Sequence, residues 1–596
     1  MGEKHELINL RVDDIVLIYA VVQSLGIKSA LNDIYQPHGG WLGVSPGDIL
    51  ELWLCFILST ADHRLSSVEE WVEPRLDLLR AMSNLSDLST NDFTDDKLGG
   101  LLEVFAQDNI WGAVETNVNK GGLSVYRFDE AQILNTFRID AAPMQSYGSV
   151  QEEGLLQYGY HKQHANLPQF KVKLCTLDNE VNNFAYPVCH LTVAGNLADD
   201  TLYQDIISKN KDVLSEIESY SGVNLYVGDK KFGSFANRVY VVSQGDCYLM
   251  PLSLVQLSRS VRQEVIEQSK ETDYKFVYKI EKEGEKETKK LVAKGFEQTV
   301  THQGTLDDKN YTWTERQLYV YSINHAQAQQ HGFDKRVEKA EGQIAALNVS
   351  TQGKRVLKTE EEYEEAIAKI LKTNKVEGFI SCQIKITEEQ KDIRAYGQRP
   401  ARTLINRSFE VSFTRKDKAI EEHKKGLGWQ VYASNVSTDL LSFESCVWKY
   451  RYQSNIESRF DDLRNKMAPL LPVFLHGDER IKGLVSLLLL ALKVCSVIEY
   501  KVAKNLQENK EKLTNVFEGN PRRGTDRPSS TRIFNAFEGI SVSLIFKEKK
   551  LQMALMTKLE PVQLKIMKLL GLEPKIYEDL SSKIQMFFSE SNLSEI

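Results

Sequence analysis

Two aspartates close apolar, strand-like runs: Asp140 in FRID and Asp229 in LYVGD. In open α/β sheets reactive groups gather beyond the carboxyl ends of strands. If the two strands are neighbours, the carboxylates face each other across a short gap. Such a pair suits Mg²⁺ or Mn²⁺, hard cations that prefer oxygen ligands. Two such ions, about 3.5–4 Å apart, stabilise both the attacking and the leaving oxygen of a phosphoryl transfer. Aspartates also end strands as ordinary turn and cap residues, so two alone do not assign the chemistry. The stretch KYRYQSNIESRFDDLRNK adds to them. It places Tyr450, Gln453, Glu457 and Arg464 on one stripe of a helix, since about 100° per residue returns these positions to the same face. That stripe presents a carboxylate to metal with hydrogen-bond donors beside it. Tyr450 and Arg464 are placed to hold a phosphate, the arginine as a bidentate fork. A solvated charged face is the other reading of the same pattern.

The elements that must carry these groups can be read from texture. Residues 11 to about 128 are predicted helical, with apolar positions at helical spacing in Val12–Leu25. Ser45 and Pro46 start a second helix as cap and first-turn residue, with Asp48 near its positive end. A third begins near Thr94, with an apolar face of Leu98, Leu101, Leu102 and Phe105. From about 133 the pattern changes to strands: Ile133–Asp140, Phe170–Thr176 and Pro187–Val193. A helix over Asp199–Leu214 follows, then short strands at Asn224–Gly228 and Cys247–Leu252. Three strands, helix, strand, helix, strand is the skeleton of an RNase H-like sheet. The fold class expected is therefore α/β: an RNase H-like mixed sheet with helices, a helical N-terminal domain, and a helical C-terminal part.

Residues 255–427 are charged and irregular and read as an inserted domain with β-rich and helical parts. Lys275–Val292 alternates like edge strands, Thr312–Ser322 is strand-like, and Asp334–Ala346 and Glu360–Thr373 are helical. Gly428–Ser434 is the return strand. Long helices are expected from about 439 to 467 and 479 to 505, then a basic loop over 519–532 and a mostly helical tail. The domains expected are 1–130, helical and DNA-end binding; 131–254, first part of the catalytic core; 255–427, inserted; 428–510, second part of the core with the Glu457 helix; and 511–596, C-terminal and helical.

The totals bound the partners. In 596 residues, 42% are hydrophobic and 26% charged, an ordinary globular balance. A net charge of −8 and a pI near 5.9 argue against a protein that coats nucleic acid nonspecifically. They leave room for DNA binding through a local basic surface. The seven cysteines include no C-x-x-C pair and read as reduced, buried thiols in a reducing compartment. Met1–Leu10 is charged and lacks the apolar stretch of a secretory signal. The longest apolar run, Leu484–Leu492, is shorter than the roughly 20 residues a bilayer requires and reads as a buried core helix. No membrane partner is expected.

The segment around Glu457 resembles the Y-x2-R-x3-E-x6-K signature of DDE-type insertion-sequence transposases, whose RNase H-like domain carries a β-rich insertion. Asp140 and Asp229 match that family's two aspartates, and the gap before Glu457 leaves room for the insertion. The resemblance covers most of the chain: VDDIVLIYAVVQSLG, ADHRLSSVEEWV and DFTDDKLGGLLEVF in the helical part, LPQFKVKLCTLD, GNLADDTLY and YVGDKKFGS around the aspartates, TERQLYVYS and GWQVYASN at the insertion. It implies metal-dependent cleavage at element ends and strand transfer into target DNA. Asp140, Asp229 and Glu457 would hold two Mg²⁺ or Mn²⁺ ions, and Tyr450, Gln453 and Arg464 would lie at the DNA. The partners implied are double-stranded DNA, as terminal inverted repeats and target, and a second copy in a synaptic homodimer. The location implied is cytoplasmic, at the nucleoid of a prokaryote. Three positions depart from the family: Ala141-Ala142 replaces Thr-Thr, Gln453 replaces the signature arginine, and Arg464 replaces the lysine. They motivate two alternatives, a decayed or domesticated DNA-binding protein and an RNase H-like nuclease without joining activity.

Weaker signals complete the reading. Gly43–Gly47 matches the G-x-S-x-G nucleophile elbow, but Pro46 has no N–H for an oxyanion, so Ser45 reads as a helix cap. His161 and His164 read as loop residues, and Lys162 between them as a phosphate contact. Arg522, Arg523, Arg527 and Arg532 form the densest basic cluster, either a solvated loop or a phosphate contact. Trp313 and Trp429 read as core residues, with stacking on an unpaired base as the alternative.

Overall fold

The computed structural model describes residues 5–126, 134–159, 167–179, 184–198, 201–217, 220–283, 286–349, 357–395, 397, 400, 402–548 and 550–591. The chain opens with a strand, β1 (His5–Arg11), and then runs through helices to Tyr126. Local chemistry sets several of their ends. The Ser45 hydroxyl accepts from the Asp48 N–H at 3.2 Å and Pro46 fills the first turn, which starts Pro46–Thr60 as a helix. The hydrolase-like motif is thus a cap. Leu98, Leu101, Leu102 and Phe105 of the helix Asp95–Phe105 are buried, as their spacing requires.

A sheet of nine strands follows: β2 (Leu134–Gln145), β3 (Gln169–Asn179), β4 (Phe184–Ala194), β5 (Val223–Val227), β6 (Cys247–Pro251), β7 (Lys275–Glu283), β8 (Lys286–Leu306), β9 (Lys309–Ser322) and, later in the chain, β12 (Trp429–Ser434). Between β9 and β12 lie β10 (Ile380–Ile393) and β11 (Arg402–Arg415), which among the described residues pair only with each other. The order across the sheet is β4-β3-β2-β5-β6-β12-β9-β8-β7. The β2–β5 and β5–β6 pairs are parallel and the others antiparallel. The molecule is therefore α/β, with one large mixed sheet and many helices.

Three sequence expectations change here. Asp140 does not end its strand, because β2 keeps β3 as a partner as far as Gln145 after its pairing with β5 stops at Arg138. The stretch 255–427 divides: β7, β8 and β9 extend the main sheet through β12, while β10, β11 and the helices Ile323–Ala345 and Glu360–Asn374 enclose their own core of Phe333, Val337, Tyr363, Ile367 and Val411. The tail is not mostly helical, since β13 (Ser541–Lys547) and β14 (Lys550–Met556) form a hairpin whose first strand pairs with β1. That pairing joins segments more than five hundred residues apart, which no local pattern can signal.

The helix Asp478–Glu508 is the axis of the largest core. Its 31 residues span about 46 Å and pack on the helices Asp95–Phe105, Asp108–Tyr126 and Pro561–Leu570 and on β4. It is longer than the apolar run within it, and by length and composition alone it would cross a bilayer, but nearly all of that stretch is buried inside the protein. At Gly483 the helix touches its neighbour so closely that a Cβ would fall 1.9 Å from the Leu102 carbonyl oxygen. Gly483→Ala is therefore expected to destabilise by about 1–3 kcal/mol through overpacking, although helix propensity alone favours alanine by about 1 kcal/mol. Urea unfolding decides the sign, and a stabilised variant would refute the contact.

A buried polar cluster fastens the β8–β9 hairpin to the rest of the sheet. Glu315 of β9 accepts from Arg238 Nη1 at 2.6 Å and from the Tyr248 hydroxyl at 2.7 Å, and its other oxygen lies 3.1 Å from His302 Nε2. Trp313 is buried beside it and donates from Nε1 to the Tyr248 hydroxyl, which makes it a core residue. Trp429 is half-buried among Tyr274, Phe296 and Tyr321. All seven cysteines are free, and five of them are buried.

Candidate active site

The parallel pairing of β2 and β5 runs in register from Leu134–Val223 to Arg138–Val227. Asp140 lies two residues past Arg138 within β2, and Asp229 two residues past Val227, just beyond the end of β5. Alternation puts Thr136, Arg138 and Asp140 on one face of β2. That face carries the helix Phe443–Arg451, because Lys449 Nζ donates to Thr136 Oγ1 at 2.8 Å and Arg138 Nη2 donates to the Lys449 carbonyl. Arg138 is wholly buried and also donates from Nε to Asp178 Oδ2 at 2.6 Å, a contact to β3. This arginine locks the helical segment onto the sheet, and the sequence reading missed it. A charged residue on the inward phase of a strand, two places before Asp140, was the available signal.

The Tyr450-to-Arg464 stripe is not one continuous helix. The first helix ends at Arg451, Tyr452 and Gln453 form a turn, and a second helix runs from Ser454 to Asn465. The break follows from the backbone: Gln453 N–H bonds the Tyr450 carbonyl three residues back, and the ladder resumes with Glu457 N–H on the Gln453 carbonyl. Tyr450 and Glu457 nonetheless stand within electrostatic reach of Asp140. Burial raises the Asp140 carboxyl to about 6; the Ala141 N–H lowers it, the negative charges of Asp229 and Glu457 raise it further, and Lys173 lowers it. The Tyr450 phenol is pushed up to about 12, first by burial and then by Asp229 and Asp140, with Glu457 adding to them. Tyr450 packs on Tyr432, ring centres 4.6 Å apart.

Asp229 is fixed from the other side. Its Oδ1 accepts the Tyr203 hydroxyl at 2.7 Å and the Lys231 N–H at 2.9 Å. Tyr203 comes from the helix Leu202–Ser215 and stacks on Phe232, with ring centres 4.8 Å apart. Glu457 is exposed. The donor set is all carboxylate oxygen, the chemistry of a Mg²⁺ or Mn²⁺ site. As the side chains stand they do not fit a bound ion: among the described residues no three His, Cys, Asp or Glu side chains are gathered to hold one.

No family model matches this sequence, and no curated protein matches it. Among solved structures, a cryo-EM structure of a piggyBac transposase synaptic complex with hairpin DNA matches with a TM-score of 0.23 and 9% identity. The match covers 48% of this chain and 60% of that one, less than two thirds of its length. A likeness that slight supports neither a shared fold nor a shared function.

The other residues singled out in the sequence are dispersed. Gln453 sits in the turn between the two helices, and its Oε1 is buried without a hydrogen-bond partner among the described residues. Arg464 is two turns beyond Glu457, with its guanidinium 5.8 Å from the centre of the Phe460 ring. Arg522 and Arg523 are exposed on the loop after the helix Asp478–Glu508, where Arg523 and Arg532 both lie over Phe517. Lys162, His161 and His164 lie outside the described residues.

Proposed function

We propose that this chain is a DDE-type transposase, cutting DNA at the ends of its element and joining the released ends to target DNA. The observation that carries the reading is that Asp140, in β2, and Asp229, just past the end of β5, follow the parallel pairing of those strands by the same number of residues, with the charge of Glu457 acting on Asp140. The strand order supports it. The first three strands of the sheet run third-second-first with antiparallel pairs, and the fourth and fifth continue beside the first in parallel. That is the arrangement expected of an RNase H-like core. The motif resemblance adds the reaction class.

In this reading residues 131–254 and 428–510 form the catalytic core, 1–130 bind the DNA ends, 255–427 are the insertion, and 511–596 complete the C-terminal part. Water attacks one phosphodiester and gives a 3′-hydroxyl and a 5′-phosphate; the 3′-hydroxyl then attacks a target phosphodiester, bonding to its phosphorus as the target strand's 3′-oxygen leaves. Mg²⁺ or Mn²⁺ is proposed as cofactor on the chemistry of the three carboxylates alone. Tyr450, Gln453 and Arg464 are proposed DNA contacts, and Lys162, Arg522 and Arg523 phosphate contacts. The partners proposed are terminal-repeat and target DNA and a second copy of the chain; the location proposed is the cytoplasm, at the nucleoid.

The test is cleavage by purified protein, with Mg²⁺, of DNA carrying the sequences that flank this gene. Cutting at the element boundary and a strand-transfer product are expected. Cutting without transfer would make it a nuclease. Tight binding of those ends by folded protein with no cutting would favour a DNA-binding protein that has lost the chemistry, a second reading that the spread of the carboxylates and the orphaned Gln453 oxygen support.

A further inference from the structure

An open cleft of about 1100 Å³ lies between the C-terminal parts of the helices Asp478–Glu508 and Pro561–Leu570. Asn505 of the first donates to the Leu569 carbonyl of the second at 2.6 Å, which ties its walls together. Four lysines line it, Lys501, Lys504, Lys565 and Lys568, against two glutamates, Glu508 and Glu511. Lys565 pairs with Glu511 at 2.9 Å, and Lys504 lies 3.9 Å from Glu508. Lys568 has only the longer-range charge of Glu511, which Lys565 already holds, and Lys501 has no ion pair among the described residues. The carbonyl ends of two helices attract cations, which accounts for Lys504 and Lys568 in the last turns. It does not account for Lys501, which is half-buried about two turns from the end of its helix. Burial there pushes its ammonium down, a cost that no neighbouring carboxylate offsets.

The cations do not stop at the cleft. Lys565 Nζ also donates to the carbonyl of Lys512, at the start of the loop that carries the arginines, at 3.2 Å. That loop is built rather than loose. Leu513 and Thr525 exchange two backbone hydrogen bonds, of 2.8 and 3.0 Å, and at its far end the Ser530 N–H and hydroxyl donate to Glu499 Oε1 at 2.8 and 2.9 Å. Arg523 in the loop and Arg532 just after it both lie over Phe517, 4.2 and 4.6 Å from the ring centre, and neither meets a carboxylate among the described residues. Cleft and loop thus present one run of cations on a chain whose total charge is −8. A run of that sign and length fits a polyanion better than a single small anion.

We propose that the cleft at Lys501 and Lys568, continued by the Phe517 loop, is a track for the phosphate backbone of duplex DNA. The identity of the polyanion rests on the transposase reading, and the track gives the C-terminal part a role in it. Lys501 and Lys568 neutralise backbone phosphates, and Phe517 holds Arg523 and Arg532 in place for phosphates further along. Such contacts set position on the duplex and carry no base sequence.

The test is binding of the full chain, without divalent ions, to two duplexes across a salt series, one carrying the sequences that flank this gene and one unrelated. The proteins are wild type, Lys501→Gln/Lys568→Gln and Lys501→Arg/Lys568→Arg, each checked by a melting curve. Loss of two phosphate contacts is expected to weaken binding of both duplexes alike, about tenfold near about 0.15 M salt, and to lower the salt slope by about 2. The arginine pair is expected to stay near wild type. Lysine acylation read by mass spectrometry gives a second readout: duplex should protect Lys501 and Lys568, which lysines that only steady the fold do not predict. Unchanged affinity and slope in the folded glutamine pair, or a loss on one duplex alone, overturns the proposal. Lys568→Gln/Arg523→Gln carries the same expectation if Lys501→Gln does not fold. Protection by inorganic triphosphate and not by duplex would make this a small-anion cleft and also overturn it. If wild type binds neither duplex, the transposase reading falls with the track; if wild type cuts and joins DNA while the glutamine pair binds normally, only the track is refuted.

Discussion

Asp229→Asn is expected to lower Mg²⁺-dependent cleavage by about 10³-fold or more, the scale on which loss of one essential catalytic group acts. Binding to the same DNA should stay within a few-fold. The substitution is chosen because it leaves the local structure in place. The asparagine oxygen can still accept from the Tyr203 hydroxyl and from the Lys231 and Phe232 N–H groups, the bonds that fix the aspartate. What it removes is the negative charge that acts on Asp140. Glu457→Gln is expected to act likewise from its exposed helix position. Gel-based cleavage and a binding assay, run on the same preparations with a melting curve as control, read both effects. Near-normal cleavage by folded Asp229→Asn would remove this carboxylate from the site.

The second large effect concerns stability. Glu115 is buried between the helix Asp108–Tyr126 and the helix Asp478–Glu508, 3.5 Å from both Lys493 and Lys209 and 3.6 Å from His190. Lys493 is itself buried and donates to Asn119 and to the carbonyls of Pro187 and Val188. Glu115→Gln leaves that ammonium without its counter-charge, an arrangement that costs about 3–5 kcal/mol. Urea unfolding at pH 7 should show the loss, and pairing it with Lys493→Met should recover part of it, because the buried ammonium that lost its counter-charge is then gone. The effect depends on pH in a fixed direction. Burial alone would raise the Glu115 carboxyl, but Lys493, Lys209 and His190 outweigh it and hold the group well below the usual carboxylate range. Its contribution is therefore present above the ordinary value of about 4.3 and drains away as pH falls toward the depressed folded value. The gap between wild type and Glu115→Gln should narrow below about pH 4; a constant gap would refute the assignment.

These two clusters differ in how far the sequence exposes them. Asp140 and Asp229 are legible as acids after apolar runs, and Glu457 as an acid on a helical stripe. That the two aspartates follow the paired ends of neighbouring parallel strands is not legible, because it depends on the register of β2 on β5. Tyr203 is hidden too, because it reaches Asp229 from a helix that precedes its strand. Short-range chemistry reads well where it is self-contained, as at the Ser45 cap. It fails where a partner is distant in the chain. The break at Tyr452–Gln453 is hidden for a different reason, since neither proline nor glycine marks it and the helical pattern runs through it.

The pairing of β1 with β13 has a consequence for how the molecule is made. Ribosomes add about 5–20 residues per second, so on the order of a minute separates the synthesis of Arg11 from that of Ser541. For that interval the first strand has no sheet to join, and for most of it the N-terminal helices also lack the helix Asp478–Glu508 on which they pack. The emerging polypeptide must carry their apolar faces uncovered until the helix Asp478–Glu508 is available, a window in which chaperone capture competes with closure.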